Sequence, residues 1–334
     1  MGGMSNVEVR PDEVTGEAGP APAGVQVIVP REVPLGGLRA MTVRRTLPSR
    51  ERSLLGAWCF ADHYGPDRVA DAGGMSVAPH PHTGLQTVTW LFTGEVEHRD
   101  SEGNHAMVRP GELNVMTAGR GISHSEVSTA AVSVLHGVQL WVALPEHARH
   151  GDPGFDHYVP EPVRGDGWTA RVFLGSLLGS SSPARTATPL LGVELVLEAG
   201  STVSLAVDPT FEHGVLVDTG RVTVAGRTVA GAELACTAPG HGRLEVGSEE
   251  GARVVLLGGP PFGEQIMMWW NFVGRTHEEI VAFRAAWQDQ VTRDGRVVGD
   301  SQEVADGRFG VVPGDHLPPI PAPALPGVRL RPRG

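Results

Sequence analysis

A chain of 334 residues is long enough for two domains or one large one. Its 27 basic residues are all arginine, its formal net charge is −11, and 40% of it is hydrophobic. The missing amine excludes a lysine Schiff base and a P-loop NTPase, and the acidic balance argues against direct nucleic-acid binding. The apolar content suffices for real cores. The lack of lysine fits the GC-rich codon usage of a bacterial genome. Cys59 and Cys236 lie far apart without a C-x-x-C, which leaves neither a disulfide framework nor a thiolate metal site. No apolar run approaches a membrane span and the first residues lack the pattern of a signal peptide, so a cytoplasmic protein with no membrane partner is expected.

Residues 1–24 are rich in Gly, Pro, Ala and Glu and read as a flexible arm. From Val25 the texture changes to short apolar runs between turn signals, at 25–29, 85–92, 95–98, 113–116 and 137–144. Strands at this spacing with no helix between them predict an all-β sandwich or barrel. Residues 145–168 are polar and turn-rich, as a connection between domains would be. A second β-series follows at 190–197, 202–207, 214–217, 221–224, 244–246 and 254–257, with a hairpin expected over 216–226. Leu216-Val217-Asp218-Thr219-Gly220 echoes Leu91-Phe92-Thr93-Gly94, which suggests an internal duplication. One helix is expected near 276–292: Thr276 and Glu279 form a capping box, and Ile280, Phe283, Trp287 and Val291 recur at helical spacing. The domains expected are therefore 25–150, 151–310 including that helix, and a Pro-rich tail at 311–334, either strapped across the surface or disordered.

The densest polar constellation is Pro79-His80-Pro81-His82-Thr83-Gly84, just before the strand at Leu85. In extended chain His80 and His82 project to one face, because side chains alternate with period two. Gly119-Arg120-Gly121-Ile122-Ser123-His124-Ser125-Glu126 repeats that relation for His124 and Glu126. A barrel that folds the two strands together brings three imidazoles and one carboxylate to a single point. Such a set satisfies a divalent first-row metal; octahedral Fe(II), Mn(II) or Ni(II) keeps two positions open, while the affinity order favours Cu and Zn.

His80-Pro81-His82-Thr83-Gly84-Leu85-Gln86-Thr87 strongly resembles the first metal motif of the pirins, a branch of the cupin superfamily. Pro110-Gly111-Glu112 and Met116-Thr117-Ala118-Gly119-Arg120-Gly121-Ile122-Ser123-His124-Ser125-Glu126 resemble the second, and Gly137-Val138-Gln139-Leu140-Trp141-Val142 the strand that follows. The resemblance implies two tandem jelly-roll cupin barrels. The first would hold one iron, as Fe(II), through His80, His82, His124 and Glu126, and the second would have lost its metal. Around His213 and His241 there is indeed no H-x-H and no H-x-E. Gln86 stands where the family commonly has Glu, so a change in pocket charge and hydrogen bonding is expected.

The resemblance also implies two functions. One is a quercetinase-like dioxygenase, in which Glu126 takes the 3-hydroxyl proton of a flavonol and dioxygen opens the central ring with loss of carbon monoxide; a polyphenol or other enolisable compound would fit as well. The other is an iron- and redox-dependent regulator that binds a transcription factor or metabolic enzyme. Among the other candidates, His63 reads as a hydrogen-bonded structural histidine in preference to one at the mouth of the site. His98 and His105 read as surface residues flanking a hairpin. The cluster Met267-Met268-Trp269-Trp270-Asn271 reads as packing between helix and barrel. Ser123 and Ser125 lack the partners of a hydrolase nucleophile.

Overall fold

The computed structural model describes residues 24–35, 41–68, 75–129 and 131–332, so the expected arm lies outside it but for Gly24. Half of an elongated strand's side chains point each way, and here the strands Leu85–Thr93 and Leu135–Ala143 are buried along nearly their whole length on both faces. Their near-continuous apolar sequence follows from that position: one face lines a barrel and the other meets a second layer of protein.

The chain forms two modules of the same make-up, each a seven-stranded sheet facing a four-stranded one. In the first, the large sheet runs Gly154–Tyr158, Leu113–Thr117, Leu85–Thr93, Leu135–Ala143, Trp58–Asp67, Met41–Leu47, Arg31–Leu35. Its small sheet runs Ser76–His82, Ile122–Ser128, Val96–Asp100, His105–Val108. The second module repeats this arrangement between Val163 and Gly259, as the internal echo in the sequence suggested.

Two short strands cross the boundary drawn at residue 150. Val25–Ile28 pairs with Leu234–Thr237 at the edge of the second module's sheet, and Gly154–Tyr158 pairs with Leu113–Thr117 in the first. The expected hairpin over 216–226 is also displaced. Glu212–Gly220 ends at Gly220, and the hairpin is made by Val222–Val224 and Arg227–Val229 in the opposite sheet. The positive φ of Gly220, where a Cβ would meet the Gly251 carbonyl at 2.2 Å, lets the chain leave one sheet for the other.

The largest core lies between the modules. Trp58, Trp90 and Leu140 of the first pack against Phe173, Leu216 and Leu257 of the second. Trp90 stacks on Phe173 with centroids 4.6 Å apart, and the Trp58 indole donates to the Gly258 carbonyl at 3.1 Å. The interior of the second module is filled by valine and leucine, among them Val172, Leu195, Val215, Leu244 and Leu256.

The helix His277–Val291 is capped by Thr276, whose hydroxyl accepts from the Glu279 amide. Ile280, Phe283, Trp287 and Val291 are its buried face, packed with Trp270, Phe272 and Phe309. The Pro-rich tail is a strap. The Ile320 amide donates to the Pro79 carbonyl at 2.8 Å, the Trp287 indole donates to the Ile320 carbonyl at 2.8 Å, and the Ala322 amide donates to Gln288 at 2.6 Å. The strap, held by the helix, thereby covers the free edge of the strand that carries His80 and His82. Among the described residues no helix is long and apolar enough to cross a membrane.

Trp90→Ala removes the stacked indole at the centre of the shared core. It should lower unfolding stability by about 3–5 kcal/mol, read as a drop in the denaturant midpoint by circular dichroism.

Candidate metal centre

Ser76–His82 and Ile122–Ser128 pair antiparallel in a register that sets His80 opposite His124 and His82 opposite Ile122. A bulge between His124 and Glu126 shifts the register, so that Glu126 stands opposite Val77. The first motif ends in a glycine and the second begins with two, for a steric reason. Gly84 has φ +67°, and a Cβ there would lie 2.3 Å from the Val273 carbonyl, against which the strand end is seated.

His80, His82 and His124 are fully buried, with ring centroids 4.3 to 5.1 Å apart. The His80 Nδ1–H donates to the Ala78 carbonyl at 3.0 Å. This fixes the tautomer and leaves the Nε2 lone pair without a protein partner. The Nε2 atoms of His82 and His124 face each other at 3.1 Å. Two nitrogens about 2.1 Å from one ion and at right angles to each other lie about 3 Å apart, so the donor set fits a divalent cation. Burial pushes His80 down to about 4 and holds His82 and His124 well below the usual histidine range, with mutual repulsion adding to it. All three are therefore neutral, the form that ligates. The Glu126 carboxylate is buried and groups with His98 and His124 within 4.8 Å.

The reading of His98 as a surface residue is wrong. It is 4% exposed, its Nδ1 lies 3.4 Å from His124 Nδ1, its Nε2 lies 3.4 Å from the Asp100 carboxylate, and its ring stacks on Phe155. Asp100 is itself held by the amides of Glu102 and Asn104, at 3.0 Å each. The signal was present in the sequence. Val96, His98 and Asp100 alternate with Glu97 and Arg99, so the face that buries Val96 also buries His98. His105 is exposed as expected and pairs with Glu97.

His63 is a structural histidine on the outer face of the barrel. Its Nε2 and that of His136 lie 2.7 and 2.6 Å from one Asp218 oxygen, and Arg253 approaches the other oxygen at 3.3 Å. These are hydrogen-bond separations, and the group ties the first module to the second. Gln86 also faces the second module. Its amide donates to Thr117 at 2.9 Å and to the Arg185 carbonyl at 3.0 Å, so its effect falls on module packing and the expected change within the pocket does not arise from it. Ser123 donates to the Phe309 carbonyl at 2.9 Å, under the strap. The wall beside His82 is aromatic: Trp141 stands edge-on at 5.2 Å and is stacked on Phe60 at 4.0 Å.

Residues 40–142 match the family described as Pirin, and residues 192–293 match the Pirin C-terminal cupin domain. The chain belongs to the pirin family. Its relatives include a Pseudomonas aeruginosa protein provisionally assigned as a quercetin 2,3-dioxygenase, 44% identical over 297 residues that cover 88% of this pirin and 94% of the relative. A pirin-like protein of Caulobacter vibrioides is 38% identical over 74% of this chain and 88% of its own. Among solved structures, a quercetin 2,3-dioxygenase from Acinetobacter baumannii superposes with a TM-score of 0.82 at 36% identity, covering 92% of this pirin and 97% of that chain. Among the described residues, the His/Glu clusters of this pirin's first module suit a divalent cation, and the second module has only the lone buried His213 in a corresponding interior.

The three imidazoles fold neutral in metal-free protein, whereas the unfolded chain takes up their protons near the ordinary value of 6.5. Their contribution to stability is complete above that value and is lost as pH falls toward about 4, where His80 protonates in the folded state. The melting temperature of chelator-treated protein should fall across this window, and metal-loaded protein should lose less over the same range.

Proposed function

We propose that this pirin is a metal-dependent dioxygenase acting on a quercetin-type flavonol or a related polyphenol. In this reading His80, His82, His124 and Glu126 hold one divalent ion, Fe(II) in the cell. The observation that carries the reading is the convergence of three buried, neutral imidazoles at 4.3 to 5.1 Å, beside a carboxylate, in a chain 44% identical to a provisionally assigned quercetin 2,3-dioxygenase.

When bound, the ion supplies Lewis-acid and one-electron chemistry. Three neutral imidazoles and one carboxylate leave a 2+ ion with a net charge of +1, which draws an anionic oxygen. Glu126 takes the proton of the flavonol 3-hydroxyl and so generates that anion within the barrel. Trp141, edge-on to the His82 ring at 5.2 Å, supplies an aromatic wall beside the site. Asp100 and His98 orient the His124 ring, and the closed core of the module keeps bulk water from the anion.

The test is oxygen uptake by anaerobically purified, Fe(II)-loaded protein on addition of quercetin. Multiple turnovers are expected, with uptake reduced by at least a hundredfold and iron content lowered in His82→Ala. No uptake by protein holding one iron per chain would reject the quercetinase reading and favour a redox-switched regulator, whose partner binding would follow the oxidation state of the iron.

A further inference from the structure

One row of polar side chains crosses the large sheet of the first module. Asp62 pairs with Gln139, Gln139 with Thr89, and Thr89 with Asn114, so the four lie side by side on adjacent strands. All are at most 4% exposed. They point into the barrel, because the alternate residues Val88, Leu113 and Leu140 belong to the core between the modules.

The row also faces the imidazole cluster. Two residues along the strand on one side stands Trp141, 5.2 Å from the His82 ring. Two residues along on the other side is Gly137, paired with Tyr64, whose phenol is held well above its usual range by burial and then by the charge of Glu126. Gln139 lies between these two positions on the same face of its strand.

The hydrogen bonds within the row are incomplete in a particular way. Thr89 donates to the Gln139 amide oxygen at 2.8 Å, and the Asn114 amide oxygen pairs with His157 Nδ1 at 2.6 Å. Both oxygens of Asp62 are taken by Arg45, at 2.7 and 2.8 Å. The two amide nitrogens, Gln139 Nε2 and Asn114 Nδ2, are buried without a protein partner. Buried amide donors are almost always paired, and here both carbonyls are anchored so that both NH2 groups are left over.

We propose that Gln139 and Asn114 are the specificity-determining residues of the site. They would read oxygen acceptors toward the two ends of a planar, multi-ring aromatic ligand held in the barrel beside His82 and Trp141. The donors sit on strands two apart, about 9–10 Å between backbones. A ligand of flavonol length spans that distance, whereas a small enolisable diketone reaches one donor at most. The inference rests on the dioxygenase reading and deepens it by naming the residues that select the substrate, yet its test is one of binding and needs no turnover.

Metal-loaded protein is titrated anaerobically with quercetin and separately with acetylacetone, for the wild type, Gln139→Leu, Asn114→Leu and the double variant. Each single variant should weaken quercetin binding about tenfold, the loss of one hydrogen bond worth about 1.4 kcal/mol, and the double variant more. Metal content should stay unchanged, and acetylacetone, which reaches one donor at most, should lose less affinity than quercetin in the double variant. Gln139→Glu and Asn114→Asp, which keep size and remove the donor, replace any leucine variant that does not fold. Equal quercetin affinity in the wild type and the double variant overturns the proposal, as does wild-type protein that binds acetylacetone more tightly than quercetin. Donor-dependent quercetin binding without oxygen uptake would sustain this inference while rejecting the dioxygenase reading.

Discussion

Everything at the candidate metal centre depends on the pairing of Ser76–His82 with Ile122–Ser128. Side chains alternate across a strand, so a slip of one residue would turn His80 and His82 out of the barrel and bring Pro81 in. The register is held from several sides. The glycines of both motifs allow close backbone approach, the bulge after His124 re-aims Glu126, and the free edge of the His80 strand is covered by Phe272 and Ile320. An uncovered edge strand would be the most mobile place in the sheet to build a site. The helix and the Pro-rich strap, remote from the motifs in sequence, therefore belong to the centre mechanically.

The two modules share an architecture and differ in what fills them. In the first, the barrel interior holds four imidazoles, a glutamate and a row of amides and carboxylate; each of these groups costs free energy to bury unless it is paired or ligated. In the second, the equivalent space is valine and leucine. The shared core, with Trp58 and Trp90 from one side and Phe173 and Leu257 from the other, joins the polar module to one whose interior is apolar but for His213. The His63–Asp218–His136 bridge and the Gln86–Arg185 contact add directional bonds across the same interface.

His124 shows how the surroundings of a potential ligand set its properties. Its Nδ1 side meets His98, which in turn meets the buried Asp100 carboxylate. Such a carboxylate–imidazole chain behind a ligand fixes ring orientation and basicity. His80 is held differently, by a backbone carbonyl two residues before it. The three imidazoles are thus alike in burial and unlike in what lies behind them.

The sequence by itself determined the all-β class, the duplication, the capped helix and the i, i+2 histidine motifs. These are local matters: period-two alternation, turn residues and capping chemistry act over a few neighbouring positions. The resemblance to pirins rested on the same short stretches. Tertiary structure alone decided that Val25–Ile28 and Gly154–Tyr158 would each join the sheet on the far side of the drawn boundary, since strand partners are chosen by unpaired sheet edges distant in the chain. It also decided which face of Leu85–Thr93 is the pocket and which is the interface. Both faces are buried, so hydrophobicity does not tell them apart, and Gln86 lies on the interface face. His98 was legible in the alternation of its strand, but its neighbour His124 lies 26 residues away and only the sheet brings the two rings together.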